Sequence, residues 1–202
     1  SPNKRGTLNI RGGTSLVRYF ISAGYNNEKG MFKYGNLQQY NTNIDVSRYN
    51  FRSNVDVNLT STTILKLGLG GWIEDQNKPS SGGDIWNGIS NLSPISTPKL
   101  YSNGLSPAFG TGNLMSPFVL LTNTGYTELS ATKMETNVEL VQDLKFITPG
   151  LRMSGRFSYD TWNQGSISHM QVHGLYRAGT QRDAYGNLIR RQISTGQPLW
   201  LH

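Results

Sequence analysis

His169 and His173 stand four residues apart, a spacing that on a helix brings two imidazoles within reach of one metal ion. The surrounding segment SISHMQVHGLY (166–176) reads instead as extended chain, in which such a pair lies roughly 13 Å apart. No shared zinc is expected. The adjacent carboxylates Glu74 and Asp75, with Asp183, are of the type that glycoside hydrolysis uses. Neighbours in a strand point to opposite faces, so these read as solvated strand-end charges. Gly68-Leu69-Gly70-Gly71 follows a strand but opens no helix, and a dinucleotide fingerprint needs both. Gly110–Asn113 reads as a plain loop. No nucleophile–base pair presents itself. The expectation is a protein without catalytic, metal or cofactor chemistry.

Binding is the chemistry the residues favour. Trp86, Tyr101, Phe109, Phe118 and Tyr126 fall among Asn, Ser and Thr in the stretch 74–133. Flat aromatic faces beside neutral hydrogen-bonding groups suit a glycan or a peptide. The same rings can equally pack the loop on itself or on a partner protein. The net charge of +7 comes from basic residues that occur singly, among them Arg18, Arg48, Arg52, Lys66, Arg152 and Arg156. A nucleic-acid surface gathers its charge into a patch, so no nucleic-acid partner is expected.

These side chains must be carried by strands. Arg48–Leu59 alternates with period 2: Tyr49, Phe51, Val55, Val57 and Leu59 against Arg48, Asn50, Arg52, Asn54, Asp56 and Asn58. Thr60–Thr63 is a polar turn, and Ile64–Ile73 answers with Leu65, Leu67 and Leu69 on one face. A second hairpin repeats the design. Glu135–Phe146 carries Val138 and Leu140 on its apolar face, Thr148-Pro149-Gly150 turns, and Leu151–Trp162 sets Met153, Phe157 and Tyr159 against Arg152 and Arg156. Before them come Thr7–Arg11, closed by a positive-φ turn at Gly12-Gly13, and Ser15–Asn26, where Leu16 and Phe20 interrupt the alternation. Asp84–Leu92 is predicted as a short helix capped by Asp84, while Pro94, Pro98, Pro107 and Pro117 limit longer elements. Tyr176–Gln192 is predicted as a smaller hairpin turning at Tyr185-Gly186-Asn187.

Strands in soluble domains average about 5–6 residues. A twelve-residue strand spans roughly 40 Å, or roughly 28 Å along a membrane normal when tilted by ~45°. The connections also alternate in length. Gly12–Ser15, Thr60–Thr63 and Ile147–Gly150 are short; Asn27–Ser47, Glu74–Lys133 and the segment after Trp162 are long. Outer-membrane barrels sort their loops in this way. Trp72, Tyr159, Trp162, Tyr25 and Tyr49 fall towards the long-loop ends, where an interfacial aromatic girdle sits. The expected fold is all-β: six to eight antiparallel strands of a larger transmembrane barrel, with 74–133 as a long extracellular loop. Tyr49, Phe51, Val55, Val57, Leu65, Leu67, Leu69, Val138, Leu140 and Phe157 then face lipid. Arg48, Asn50, Arg52, Asn54, Asp56, Arg152 and Arg156 face the lumen. A long hairpin in a soluble β-sandwich alternates identically, and a soluble β-rich binding or adhesion module is the alternative. A mean hydropathy of −0.45 suits either, because alternation averages to a polar sequence. The absence of cysteine leaves the redox compartment unread. The chain opens at Ser1-Pro2 without a signal peptide, so an exported protein would carry its signal upstream.

RGGTSLVRYFISAGYNNEKGMFK (11–33), RYNFRSNVDVNLTSTTILKLGLGGWIEDQNKPS (48–80) and SPFVLLTNTGYTE (116–128) carry a resemblance, continued in VQDLKFITPGLRMSGRFSYDTWN (141–163) and RDAYGNLIRRQ (182–192). Over nearly its whole length the chain resembles the SusC/RagA-type TonB-dependent outer-membrane transporters of Bacteroidetes-like bacteria. The resemblance implies a 22-stranded barrel of which this chain is one section, and location in the bacterial outer membrane. It also implies a plug, a TonB-contacting segment, a SusD-like surface lipoprotein as lid, and import of oligosaccharides or peptides.

Overall fold

The computed structural model describes residues 3–32, 40–93, 95, 98–110 and 114–201. Of the chain, 65% is β-strand. The strands are β1 (Lys4–Gly13), β2 (Val17–Lys29), β3 (Asp45–Asn58), β4 (Thr63–Pro79), β5 (Ser106–Phe109), β6 (Leu114–Met115), β7 (Gly125–Asp143), β8 (Arg152–Val172), β9 (Leu175–Arg182), β10 (Leu188–Ser194) and β11 (Gln197–Leu201). Helices α1 (Gly82–Asn91) and α2 (Pro117–Thr122) lie between β4 and β7. Seven strands form a sheet in the order β1-β2-β3-β4-β7-β8-β11, and four form a second, β10-β9-β5-β6. Strands β1 with β2, β2 with β3, β8 with β11, β9 with β10 and β5 with β6 pair antiparallel, and β5 pairs with β9 in parallel. The larger sheet is open, with β1 and β11 as its edges among the described residues.

The chain divides into two compact units. The first comprises Ser1–Lys29, Asp45–Gln76 and Leu129–Gly165. It is a single layer of long strands. Leu8, Ile10, Tyr19, Ile21 and Tyr25 share a face with Tyr49, Phe51, Val55 and Val57, as the registers Ile10↔Ile21, Tyr19↔Val55 and Tyr25↔Tyr49 require. This apolar face stays open: Ile21 is 44% exposed and Leu140 46%. Ala131 is the one buried apolar residue of the unit among those described. Nothing here is a sandwich interior. Small residues let aromatic rings lie flat across the sheet: Tyr19 folds over Gly12 and Phe51 over Gly71, the arrangement known as aromatic rescue.

The second unit comprises Gly30–Ile44, Asn77–Glu128 and Ser166–His202. Ile85 of α1 packs on Leu120 and Leu121 of α2, with Phe32 and Met115 against them. Each such side chain is worth about 1.5–3 kcal/mol when fully buried. Ser116 starts α2, its hydroxyl accepting from Val119 N at 3.3 Å, and Pro117 occupies the first turn, where its missing N–H costs nothing.

Several expectations are corrected. Gly12 and Gly13 continue β1 rather than turning it; Thr14 makes the turn, its hydroxyl accepting from Leu16 N and Val17 N. Among the described residues the positive-φ glycines are Gly104, Gly110, Gly125, Gly150 and Gly186, so the predicted turns at Gly150 and Gly186 do carry one. The helix begins after Ser81, which places Asp84 in its first turn, beside the positive end of the helix dipole, rather than at the cap. The region 74–133 is not one irregular loop. Strand β4 runs on to Pro79 and β7 starts at Gly125, because Asn, Lys and Gln continue a strand that has left its apolar face behind. Among the described residues there are eleven strands, seven of them in the larger sheet, within the six to eight expected of it, and four in a separate small sheet. Pro94, residues 111–113 of the glycine loop and residues 33–39 of the 27–47 connection lie outside the described residues.

Candidate functional site

The polar face of the first unit follows from the same registers. Arg5, Asn26 and Arg48 form one row across β1, β2 and β3; Thr7, Gly24 and Asn50 the next; Asn9, Ser22 and Arg52 the third. Strand β4 contributes Trp72 and Glu74: the Arg48 guanidinium lies 4.5 Å from the Trp72 ring centre and 3.7 Å from the Glu74 carboxylate. Further along the face, Arg18 pairs with Asp56 at 3.6 Å, Lys66 with Glu139 at 3.9 Å, Arg156 with Glu139 at 2.8 Å, and Lys133 with Glu135. Exposed pairs of this kind contribute little to stability in water. Their effect is to hold long side chains upright in a lattice. A concavity of about 710 Å³ opens on this face, with Arg5, Phe20, Gly24, Arg48, Arg52 and Trp72 among its walls.

Arg48, Asn50, Arg52, Asn54 and Asp56 thus share a face, as expected, and Arg156 joins them through Glu139. Trp72 is a correction. It stands on the polar face under Arg48 and takes no part in an outer girdle. Trp162, six residues beyond Arg156 in β8, falls on the polar side by the same alternation. Tyr25 and Tyr49 do form an aromatic pair on the apolar face, their ring centres 5.1 Å apart. Phe20, which interrupts the apolar stripe in sequence, lines the concavity on the polar face. Parity with Arg18 and Ser22 was the signal that identifies it.

The five loop aromatics do not gather into one site. Trp86 packs near Phe32, ring centres 6.0 Å apart. The Tyr101 hydroxyl accepts from Ala178 N at 3.0 Å, with Arg190 over its ring. Lys99 lies over Phe118. Phe109 pairs with Leu114 between β5 and β6. Tyr126 stacks on His169 at 4.5 Å and packs beside Tyr40, whose hydroxyl donates to Gln171 at 2.6 Å. Burial holds the Tyr40 phenol above its usual range. These contacts are packing. Among the described residues no cluster of three metal-ligating side chains occurs.

Burial lowers the pKa of His173 below its ordinary 6.5. The folded unit therefore refuses a proton that the unfolded chain accepts. The contribution of His173 to stability is constant above pH about 6.5 and falls as the pH drops below that value. Thermal melts of the wild type across this range should show the slope, and His173→Gln should flatten it.

No protein-family profile, curated protein or solved structure matches this chain.

Proposed function

We propose that the first unit is a section of an outer-membrane barrel wall, apolar face to lipid and polar face to an aqueous lumen through which a polar solute passes. One observation carries the reading. On the outward face the apolar rows end together. Above Tyr25 and Tyr49 the next row is Asn27, Ser47, Asp75 and Ser130, joined by Asn27 Nδ2 donating to Ser47 Oγ at 3.0 Å and Ser130 Oγ to Asp75 at 2.9 Å. Lys29 and Asp45, 3.3 Å apart, follow. At the other end Thr63 and Gln142 bond at 2.7 Å, next to Val57 and Leu140. The apolar band from Val17 to Tyr25 is nine residues tall. That is roughly 30 Å along the strand, or roughly 23 Å at a ~40° tilt, against about 25 Å for barrel walls. A water-exposed face has no reason to change chemistry at one level across four strands, with tyrosines at the boundary.

Open edges are not tolerated in lipid, so in this reading further strands pair with β1 and with β8. The resemblance to SusC/RagA-type transporters extends the proposal to TonB-dependent import of oligosaccharides or peptides with a SusD-like lipoprotein. The protein has no cysteine, which makes single-cysteine labelling clean. A fluorophore on Val55→Cys should be quenched by brominated lipid and one on Asn54→Cys by an aqueous quencher. Equal aqueous quenching at both positions would sink the membrane reading and favour a binding or adhesion module.

A further inference from the structure

We infer that the concavity on the polar face is a binding subsite for an acidic oligosaccharide, one bearing several carboxylates. The inference deepens the transport reading and names the cargo's chemistry. The pit exists because of Gly24. In the row Thr7–Gly24–Asn50 the central residue has no side chain, and the rows on either side carry Arg5, Arg48 and Arg52. Arg5 and Arg48 lie two strands apart, roughly 10 Å between backbones, and Arg52 roughly 13 Å further along β3. A single small anion cannot span such positions; a chain of acidic sugars can.

The charges around the pit divide into engaged and available ones. Glu28 accepts from Asn26 at 2.9 Å, Glu135 is bonded by Lys133, and Glu74 by Arg48. Among the described residues no carboxylate lies within ion-pair distance of Arg5 or Arg52, although Arg52 acts on Glu135 at longer range and helps to keep it ionised. Arg48 is stacked on Trp72, which fixes the plane of its guanidinium beside the pit. Guanidinium groups bind carboxylates in bidentate pairs. Phe20 and Trp72 add flat apolar surface, and Asn50, Thr7 and Ser22 add neutral hydrogen-bonding groups of the kind sugar hydroxyls match.

The test is isothermal titration of the intact protein in detergent with tetragalacturonate, a neutral tetrasaccharide of the same size, and a tetraglutamate peptide. The acidic sugar should bind at least tenfold more tightly than either control, a difference of about 1.4 kcal/mol, and its affinity should fall as salt is raised. Arg5→Gln with Arg52→Gln should weaken it at least tenfold, and Lys145→Gln in the remote turn should not. Gly24→Leu fills the pit. A Cβ at this position meets nothing closer than 3.6 Å, so the backbone admits a side chain, and the variant should keep the wild-type circular dichroism and lose binding. Equal affinity for the neutral sugar or the peptide, or binding that survives both variants, overturns the inference. Lipid insertion without sugar binding refutes the subsite alone; sugar binding without lipid insertion refutes the wall reading alone.

Discussion

Gly125→Ala should cost about 3 kcal/mol or more and leave the second unit without its tertiary packing. Gly125 begins β7 at φ +97°, a backbone state in which an L residue is strained by about 1–2 kcal/mol. A methyl there would also run into the His169 carbonyl and sit 3.0 Å from the Met170 Cα. Both obstacles are backbone, so neither can swing aside, and overpacking of this kind costs about 1–3 kcal/mol. The position is tied on both sides. Gly125 N donates to the Tyr40 hydroxyl at 3.1 Å, and its carbonyl accepts from Ser80 N at 3.3 Å. Gly150→Ala separates the two contributions: its φ is +83°, but nothing lies within 4 Å of an added Cβ. It should lose only the backbone part. Urea unfolding followed by near-ultraviolet circular dichroism reads both variants. Equal losses at the two sites would show that the close approach of β8 to Gly125 carries no weight.

The contrast between these glycines bears on what a sequence can disclose. Gly150 and Gly186 sit in turns flanked by alternating strands, so their role is visible in the order of residues. Gly125 is held by a strand more than forty positions away, and no local pattern announces that. The two faces of the long strands were legible for the opposite reason, since period 2 is a local property: Phe51, Val55 and Val57 against Arg48, Arg52 and Asp56 needed no partner to be sorted. Even the correction at Trp72 follows from parity once Leu65, Leu67 and Leu69 fix the stripe. Residue type had suggested a girdle; position put the ring under Arg48. The concavity was hidden because it is made across three strands, by the absence of a side chain at Gly24 where β1 and β3 carry arginines. The stretch 74–133 misled through composition. Asn, Ser and Pro signal loops, yet Pro107 lies inside β5 and Pro117 opens α2, both positions a proline tolerates without a backbone donor.

Replacing Ile21 with arginine should destabilise the protein in a bilayer by about 2–4 kcal/mol, the cost of a cation at mid-depth on the lipid side of a barrel. Ile21 pairs with Ile10 and Ser53, halfway between the Val17–Val57 row and the Tyr25–Tyr49 row, so its depth is fixed by register. The same replacement at Ser47, in the first polar row, should cost about 0–1 kcal/mol, because an interfacial arginine reaches headgroups and water. Asn54→Arg, on the opposite face, should fall within about 0.5 kcal/mol of wild type, as surface changes do. Depth dependence is the informative part. Water outside the apolar face would make Ile21→Arg as mild as Asn54→Arg. A protein layer over that face would penalise charge at Ile21 too, but would protect a Val55 label from brominated lipid. Reversible unfolding by urea in lipid vesicles measures the series directly. A graded penalty, largest at Ile21 and vanishing at Ser47, needs a hydrocarbon slab whose boundary coincides with the change from Tyr25 and Tyr49 to Asn27 and Ser47.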